Sequence, residues 1–436
     1  MAVQQEVLSA NHIIDGMKDA RARTLELVGD LSDDQLMGPE LSTVNPGLWE
    51  MGHHAWFQSV WALRHACGEP PTRRDEDALY DSMEIAHDTR WNLPLPSRAE
   101  TLAYMRKVHD SVLTRLDDNP SQKLLYHAFY STLHEDMHTE AFTYTRQTHG
   151  YPNPKFSIGN DSHMPKGGVC PGNVSIPGGT FMLGSTQEEP FVFDNEKWAH
   201  PVELKPFQIA KACVTQSEYV TFIENGGYDK SEFWCSDGWK WRQENNVTGH
   251  QYFRHVNGTW ERRHFDNWVR LEPNRAVIHV NWYEADAYCR WAGLRLPTEA
   301  EWEAAASVEP GPNKTCLGTV KRRFPWGNNQ PTSSVANLDW KLMGTADVGA
   351  FPQGDSPYGC RQMVGNVWEW TNNDFLPFPG FSPDPYKDYS EPWFGTRKVM
   401  RGGCWATRSR LIRTNYRNFQ TPDRGDVFTG FRTCPL

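Results

Sequence analysis

The chain has 436 residues and a formal net charge of −10, with no basic stripe, which argues against a polyanion partner, so no nucleic acid is expected. No run of about 18 apolar residues occurs. The opening MAVQQEVLSANHIIDGMKDA lacks the charged start, apolar middle and cleavage site of an export signal, so a cytoplasmic protein off the membrane is expected.

At this length two domains are the prior, because single hydrophobic cores stop growing near about 250–300 residues. The nine cysteines include no CxxC pair and are odd in number, which fits reduced thiols better than a disulfide framework or a zinc ribbon. Over the first 150 residues apolar positions recur at three and four, predicting helices over 6–29, 46–67, 98–118 and 121–149. NPG opens the second, and Ser97 with Glu100 three residues on forms a capping signature for the third. Four helices of this length on modest loops predict a bundle over 1–150.

The last of these helices carries HEDMHTEAF, residues 134–142. At 3.6 residues per turn His134 and His138 share one side. NPGLWEMGHHAWF on the second helix adds His53 and His54, from which a bundle can aim a third imidazole inward. Three neutral imidazoles suit zinc, iron, nickel or copper. With no thiolate nearby, a closed structural zinc site is disfavoured, and three ligands leave positions open for chemistry. Glu140 lies about 200° round the helix from His138, better placed to brace a ligand than to be one. His65, His87, His109 and His127 have no such geometry.

Residues 151–173, rich in Gly, Pro, Asn and Ser, are expected to be a linker. Beyond it the chain turns to short strands and Gly and Pro turns, with helices expected near Gln216 to Asn225 and from Trp282 to Ala292, and a further short one capped by Thr298. An α+β chain follows: a helical bundle, then a loop-rich domain over 174–436.

WEMGH followed some eighty residues later by HEDMHTE resembles the DinB-like bundle of the ergothioneine-biosynthesis sulfoxide synthases, which are non-haem iron enzymes. The resemblance implies Fe(2+) held by His53, His134 and His138. IPGGTFMLGS, HVNWYEADAYCRWAGLRLPTEAEWEAAA, FPWG, MVGNVWEW, VMRGGCW and FTGFR are similar, in order, to the formylglycine-generating-enzyme-like, C-type-lectin-related domain those synthases also carry. Formylglycine-generating enzymes use a cysteine pair in this region. Here Cys404 stands alone, so that activity is not expected.

The family joins a chalcogen nucleophile to C2 of the imidazole of hercynine with O2, so the partners implied are hercynine, a selenosugar or thiol donor, and O2. After GNVWEW, relatives carry two tyrosines three apart, one a proton donor; this chain has Phe375 and Phe378, and a phenyl ring delivers no proton. Where relatives read Arg-Asn-Trp-Asp and a following Arg that help bind γ-glutamylcysteine, Asn418 and Arg424 are retained, while Phe419 and Gln420 replace Trp and Asp. LYDSMEIAHDTRWNLPLP resembles the selenoneine synthases, with Arg90 near the family's donor-contacting arginine. A neutral Gln420 suits sugar hydroxyls, which both donate and accept. The expectation is therefore selenoneine synthesis from a selenosugar, with a sulfoxide synthase using γ-glutamylcysteine or cysteine as the alternative. Arg90, Phe375, Phe378, Asn418, Phe419, Gln420 and Arg424 are the substrate-binding candidates. A thiol transferase on the same bundle and a ligand-binding protein with a vestigial metal site stand further off.

Overall fold

The computed structural model describes residues 8–157 and 165–436. Residues 6 and 7 of the first expected helix and 158–164 of the expected linker lie outside them. The chain forms two compact units, Met1–Ile158 and Gly159–Leu436.

In the first unit, helices α1 (Ala10–Val28), α2 (Asp33–Met37), α3 (Gly47–Gln58), α4 (Glu76–Tyr80), α5 (Arg98–Asp117) and α6 (Gln122–His149) follow in order. The long ones start and stop where the sequence supplies caps. Ser97 and Glu100 close a capping box on α5, Ser121 Oγ accepts from Leu124 N at 3.1 Å on α6, and Gly150, at φ 67°, ends α6 in the left-handed region that glycine tolerates. Helix α3 runs on as a π-helical segment, Ser59–His65, and the short α2 and α4 were not expected, because five residues hold too few turns to show a period.

Ile13, Met17, Leu27, Met51, Phe57, Val108, Val112 and Leu133 pack the bundle interior. Within it Arg21 Nε meets Glu135 Oε1 at 2.8 Å, Thr24 Oγ1 donates to the same oxygen at 2.8 Å and Gln58 Nε2 donates to Oε2 at 3.0 Å, tying α1, α3 and α6 together. Burial alone would raise the Glu135 carboxyl, but the Arg21 guanidinium, joined by the Thr24 hydroxyl and His109, holds it below its ordinary value. A buried pair satisfied this fully is destabilising chiefly when one partner is removed.

The second unit contains α7 (Gln216–Glu224), α8 (Ser236–Glu244), α9 (Trp282–Ala292) and α10 (Glu299–Ser307). Thr215, Asn281 and Thr298 each close a capping box, on α7, α9 and α10. Helix α8 departs from expectation. Its only buried residue is Gly238, so no apolar face marks it in the sequence. A four-stranded sheet orders the strands Asn418–Gln420, Lys398–Arg401, Trp368–Asp374 and Thr429–Gly430, antiparallel except for the last pair. Arg401 lies buried between Glu299 and Glu303, so helix α10 and the sheet are joined by paired charges, and Arg432 meets Glu369 of the same sheet at 2.5 Å. The architecture is α+β: a helical bundle followed by a loop-rich mixed domain. Among the described residues no helix is long and apolar enough to cross a membrane.

Candidate metal centre

Helices α3 and α6 lie side by side in the bundle, α3 presenting Glu50, His53 and His54, and α6 presenting His134 and His138. Gly52 permits the arrangement. A Cβ there would stand 2.1 Å from a ring carbon of Tyr80, and only its absence lets the Tyr80 segment lie against α3. The Tyr80 carbonyl, in turn, is 2.9 Å from His53 Nδ1. A carbonyl only accepts, so Nδ1 carries the proton and the Nε2 lone pair is released.

His138 is fixed the same way. Its Nδ1 lies 2.5 Å from Glu50 Oε1, and its Nε2 faces His134 Nε2 at 3.2 Å. Trp49 and Trp56, one turn before and after on α3, stack on His53 at 4.9 and 5.4 Å between ring centroids, and Phe57 lies over His134 at 3.7 Å and 4°. These contacts hold the ring planes. Burial pushes His53, His54 and His134 well below the ordinary imidazole value, and the neighbouring His138 adds to the effect, so these three are neutral at pH 7.

One ligand atom from each of His53, His134 and His138 lies within 4.8 Å of the others. The donors fit a divalent ion: two nitrogens about 2.1 Å from a common ion and roughly 100° apart are about 3.2 Å from each other, which is the His134–His138 spacing. His134 Nδ1 is buried without a hydrogen-bond partner. With the His134 proton on that Nδ1, the Nε2 lone pairs of His134 and His138 face each other, an arrangement that a cation between them would satisfy. His54 falls outside this trio and joins Glu50 and His138 in a second group. Glu140 is buried and belongs to neither. The carboxylate that orients a histidine is Glu50, which the sequence reading overlooked. Its signal was the Glu-x-x-His spacing to His53, a spacing that helical bundles use to aim both side chains inward.

Arg90 is 8% exposed and sits 4.0 Å over the Trp49 ring. It donates to Asn45 Oδ1 at 2.7 Å and to the carbonyls of Ser82 and Ile85 at 3.1 and 3.2 Å, so it braces the tryptophan that stacks on His53. In the second unit, Phe375 is fully buried and stacks on Phe419 at 4.0 Å, and Arg417, paired with Glu299, lies 4.0 Å over Phe378. Arg424 grips both oxygens of Asp426 at 2.6 and 2.7 Å and donates to Gln420 Oε1 at 3.1 Å. Asn418, on the same strand as Gln420, turns its Oδ1 to the backbone N–H of Phe419 at 2.8 Å. Asp426 and Arg417 were not singled out in the sequence. Asp426 lies just two residues from Arg424, and Arg417 gave no signal beyond its charge.

Comparison with known proteins covers almost the whole chain. Residues 17–147 match the DinB superfamily, and residues 161–435 match the sulfatase-modifying factor enzyme 1-like domain. The hercynine oxygenase of Mycolicibacterium smegmatis is 35% identical over 434 residues, spanning 98% of this chain and 99% of its own. That of Mycobacterium tuberculosis is 36% identical, spanning 95% and 96%. The formylglycine-generating enzyme of Streptomyces coelicolor is 31% identical over 60% of this chain and 88% of its own. Among solved structures, PvdO from Pseudomonas aeruginosa aligns with a TM-score of 0.40 and 21% identity, over 62% of this chain and 98% of its own.

Proposed function

The chain belongs to the family of the hercynine oxygenases, and from that footing we propose that it uses ferrous iron and O2 to join a thiol donor to C2 of the hercynine imidazole. It is an oxygen-dependent oxidoreductase. With O2 as the sole oxidant the reaction balances: the C2–H and S–H bonds break and a C–S bond forms. One oxygen atom ends on sulfur as the sulfoxide, and the other leaves with both hydrogens as water.

The observation that carries this reading is the convergence of His53, His134 and His138 on one point, with every ring braced. Tyr80 and Glu50 keep the Nδ1 protons of His53 and His138 turned away, so the lone pairs face inward. Trp49, Trp56 and Phe57 wall the rings against water. A ferrous ion bound there would anchor the thiolate and the substrate imidazole and activate O2. Three protein ligands would leave room for those reactants, and holding both together replaces a bimolecular encounter.

A selenosugar donor, the branch expected from Gln420, is the second reading. The relatives are named for hercynine and oxygenation, and the sulfoxide synthases that the sequence resembles take a sulfur donor. One local feature favours the neutral donor: Arg424 is already matched by Asp426, so its charge is not held open for a donor carboxylate. Within the second unit, Asn418, Gln420 and Arg424 are proposed to read the donor, and Phe375, Phe378 and Phe419 to shape the surface behind it; in the bundle, Arg90 is proposed to act through Trp49. The test offers the iron-loaded protein hercynine with γ-glutamylcysteine, cysteine or a selenosugar under air, following O2 consumption and product mass. A sulfoxide from one of the thiols is expected. A dominant carbon–selenium product would replace the first reading with the second, and no hercynine-dependent O2 consumption with any donor would end both.

A further inference from the structure

His54 is a buried polar group, next in sequence to His53, that the three-histidine site leaves unexplained. The residue is 1% exposed, both ring nitrogens are buried, and neither has a hydrogen-bond partner. A neutral imidazole left so forfeits both a donor and an acceptor that water would have matched, which is unfavourable unless something occupies the space beside it. The ring is held in place by Phe142, edge-on at 5.5 Å, and by His138 at 4.6 Å between centroids.

Glu50 completes the picture. Its carboxylate is 1% exposed and reaches His138, and one ligand atom from each of Glu50, His54 and His138 lies within 4.8 Å of the others. Two imidazoles and a carboxylate form a donor set suited to a divalent cation of borderline hardness, such as zinc, cobalt or iron. We propose that Glu50, His54 and His138 form a second position for a divalent metal ion, one that shares His138 with the first and is occupied in alternation with it. Alternation follows from charge. Two dications sharing one imidazole in a buried setting repel strongly, and Glu50 is the single carboxylate in the two groups. The second position gives an ion a place to rest when the three-histidine site is disabled, and it gives Glu50 a ligand's role besides its hold on His138. The inference rests on the bundle alone and stands whatever the donor of the reaction.

Cobalt(II) is the probe, since its visible absorption reports ligand type and number without turnover. The full-length chain is stripped with a chelator and titrated with Co2+ under anaerobic conditions. The wild type is expected to bind one ion. His53→Gln and His134→Gln each disable only the first position, and each is expected to bind one ion still, with an altered spectrum and about 10–100-fold weaker affinity. Adding His54→Gln to either background is expected to weaken binding at least about 100-fold further, beyond the range of lost supporting contacts. Helicity at 222 nm identifies any variant that fails to fold, and two independent backgrounds guard against the loss of one. The proposal is overturned if folded His53→Gln and His134→Gln bind no cobalt, if they bind it equally well without His54, or if the wild type takes up two ions at once. Failure of the wild type itself to bind cobalt would instead count against the three-histidine site.

Discussion

Glu50 accepts the Nδ1 proton of His138 and thereby decides which nitrogen of that ring faces its neighbours. Such a carboxylate also raises the basicity of the ligand it holds. Glu50→Gln keeps an acceptor and loses the charge, so Fe(II) affinity measured by competition with a chelator is expected to fall about tenfold, and Glu50→Ala about 100-fold. Unchanged affinity in both would remove Glu50 from the site. The histidines could be read from the sequence because a four-residue spacing survives without tertiary information. Glu50 could not be read so easily, because the ring it orients is 88 residues away. In the second unit, His250 is buried with Nε2 2.8 Å from the Ile278 carbonyl and Nδ1 accepting from Tyr252 N at 3.1 Å, and burial pushes it down to about 4. The unfolded chain, with an ordinary imidazole near 6.5, takes up the proton first as pH falls. The stability this neutral ring contributes is complete above that value and is lost as pH drops from there towards 4, roughly 3 kcal/mol in all. The stability gap between wild type and His250→Gln, from urea unfolding followed by tryptophan fluorescence, is therefore expected to narrow between pH 7.5 and 4.5. A gap that stays constant would show that the ring is not held neutral.

The helices differ in how plainly the sequence announces them. Helices α1, α5 and α6 run for 19, 20 and 28 residues, long enough for an apolar period to be counted, and α5 and α6 carry a serine cap where the reading needs one. Ser97→Ala removes the box on α5 and is expected to lower the stability of the bundle by about 1 kcal/mol in denaturant unfolding. The second predicted helix, 46–67, is continuous as expected, yet it widens into a π-helical segment from Ser59 that no 3.6-residue count reveals. Helix α3 also carries Gly52 mid-helix, where glycine is ordinarily about 1 kcal/mol worse than alanine. Close approach of the Tyr80 ring reverses that preference. Gly52→Ala is expected to cost about 2 kcal/mol by overpacking and, by pushing the Tyr80 carbonyl off His53, to weaken metal binding as well. Denaturation at 222 nm and a Co2+ titration on the same variant measure both, and an unchanged or more stable protein would show that Tyr80 yields without consequence.

At the scale of the molecule, the two units divide the work of folding differently. In the sequence the texture changes near residue 150, where helical period gives way to Gly and Pro turns; the two compact units divide after Ile158. Ser157 N donates to Glu26 Oε1 at 3.0 Å within the first unit, and Gly168 N donates to Asp347 Oδ2 at 2.9 Å within the second. The path within the second unit was beyond any count of periods. Its strands have two to seven residues, and its interior is tied by long-range pairs such as Arg432 with Glu369, so its order came from resemblance alone. All the metal-capable groups found among the described residues lie on α3 and α6, inside the first unit. An ion at 100 times its dissociation constant adds about 2.7 kcal/mol to whatever it binds. For a unit of about 150 residues this raises the midpoint by about 5–10 °C. Fifteen of the 19 tryptophans follow residue 159 and report on the second unit, while the helical signal at 222 nm is dominated by the first. Anaerobic Fe(II) is therefore expected to raise the 222 nm transition by that amount and to move the tryptophan transition by no more than about 1 °C, with both shifts absent in His138→Ala. Transitions that rise together would mean that the units unfold as one body, and a rise confined to the tryptophan signal would place the ion outside the bundle.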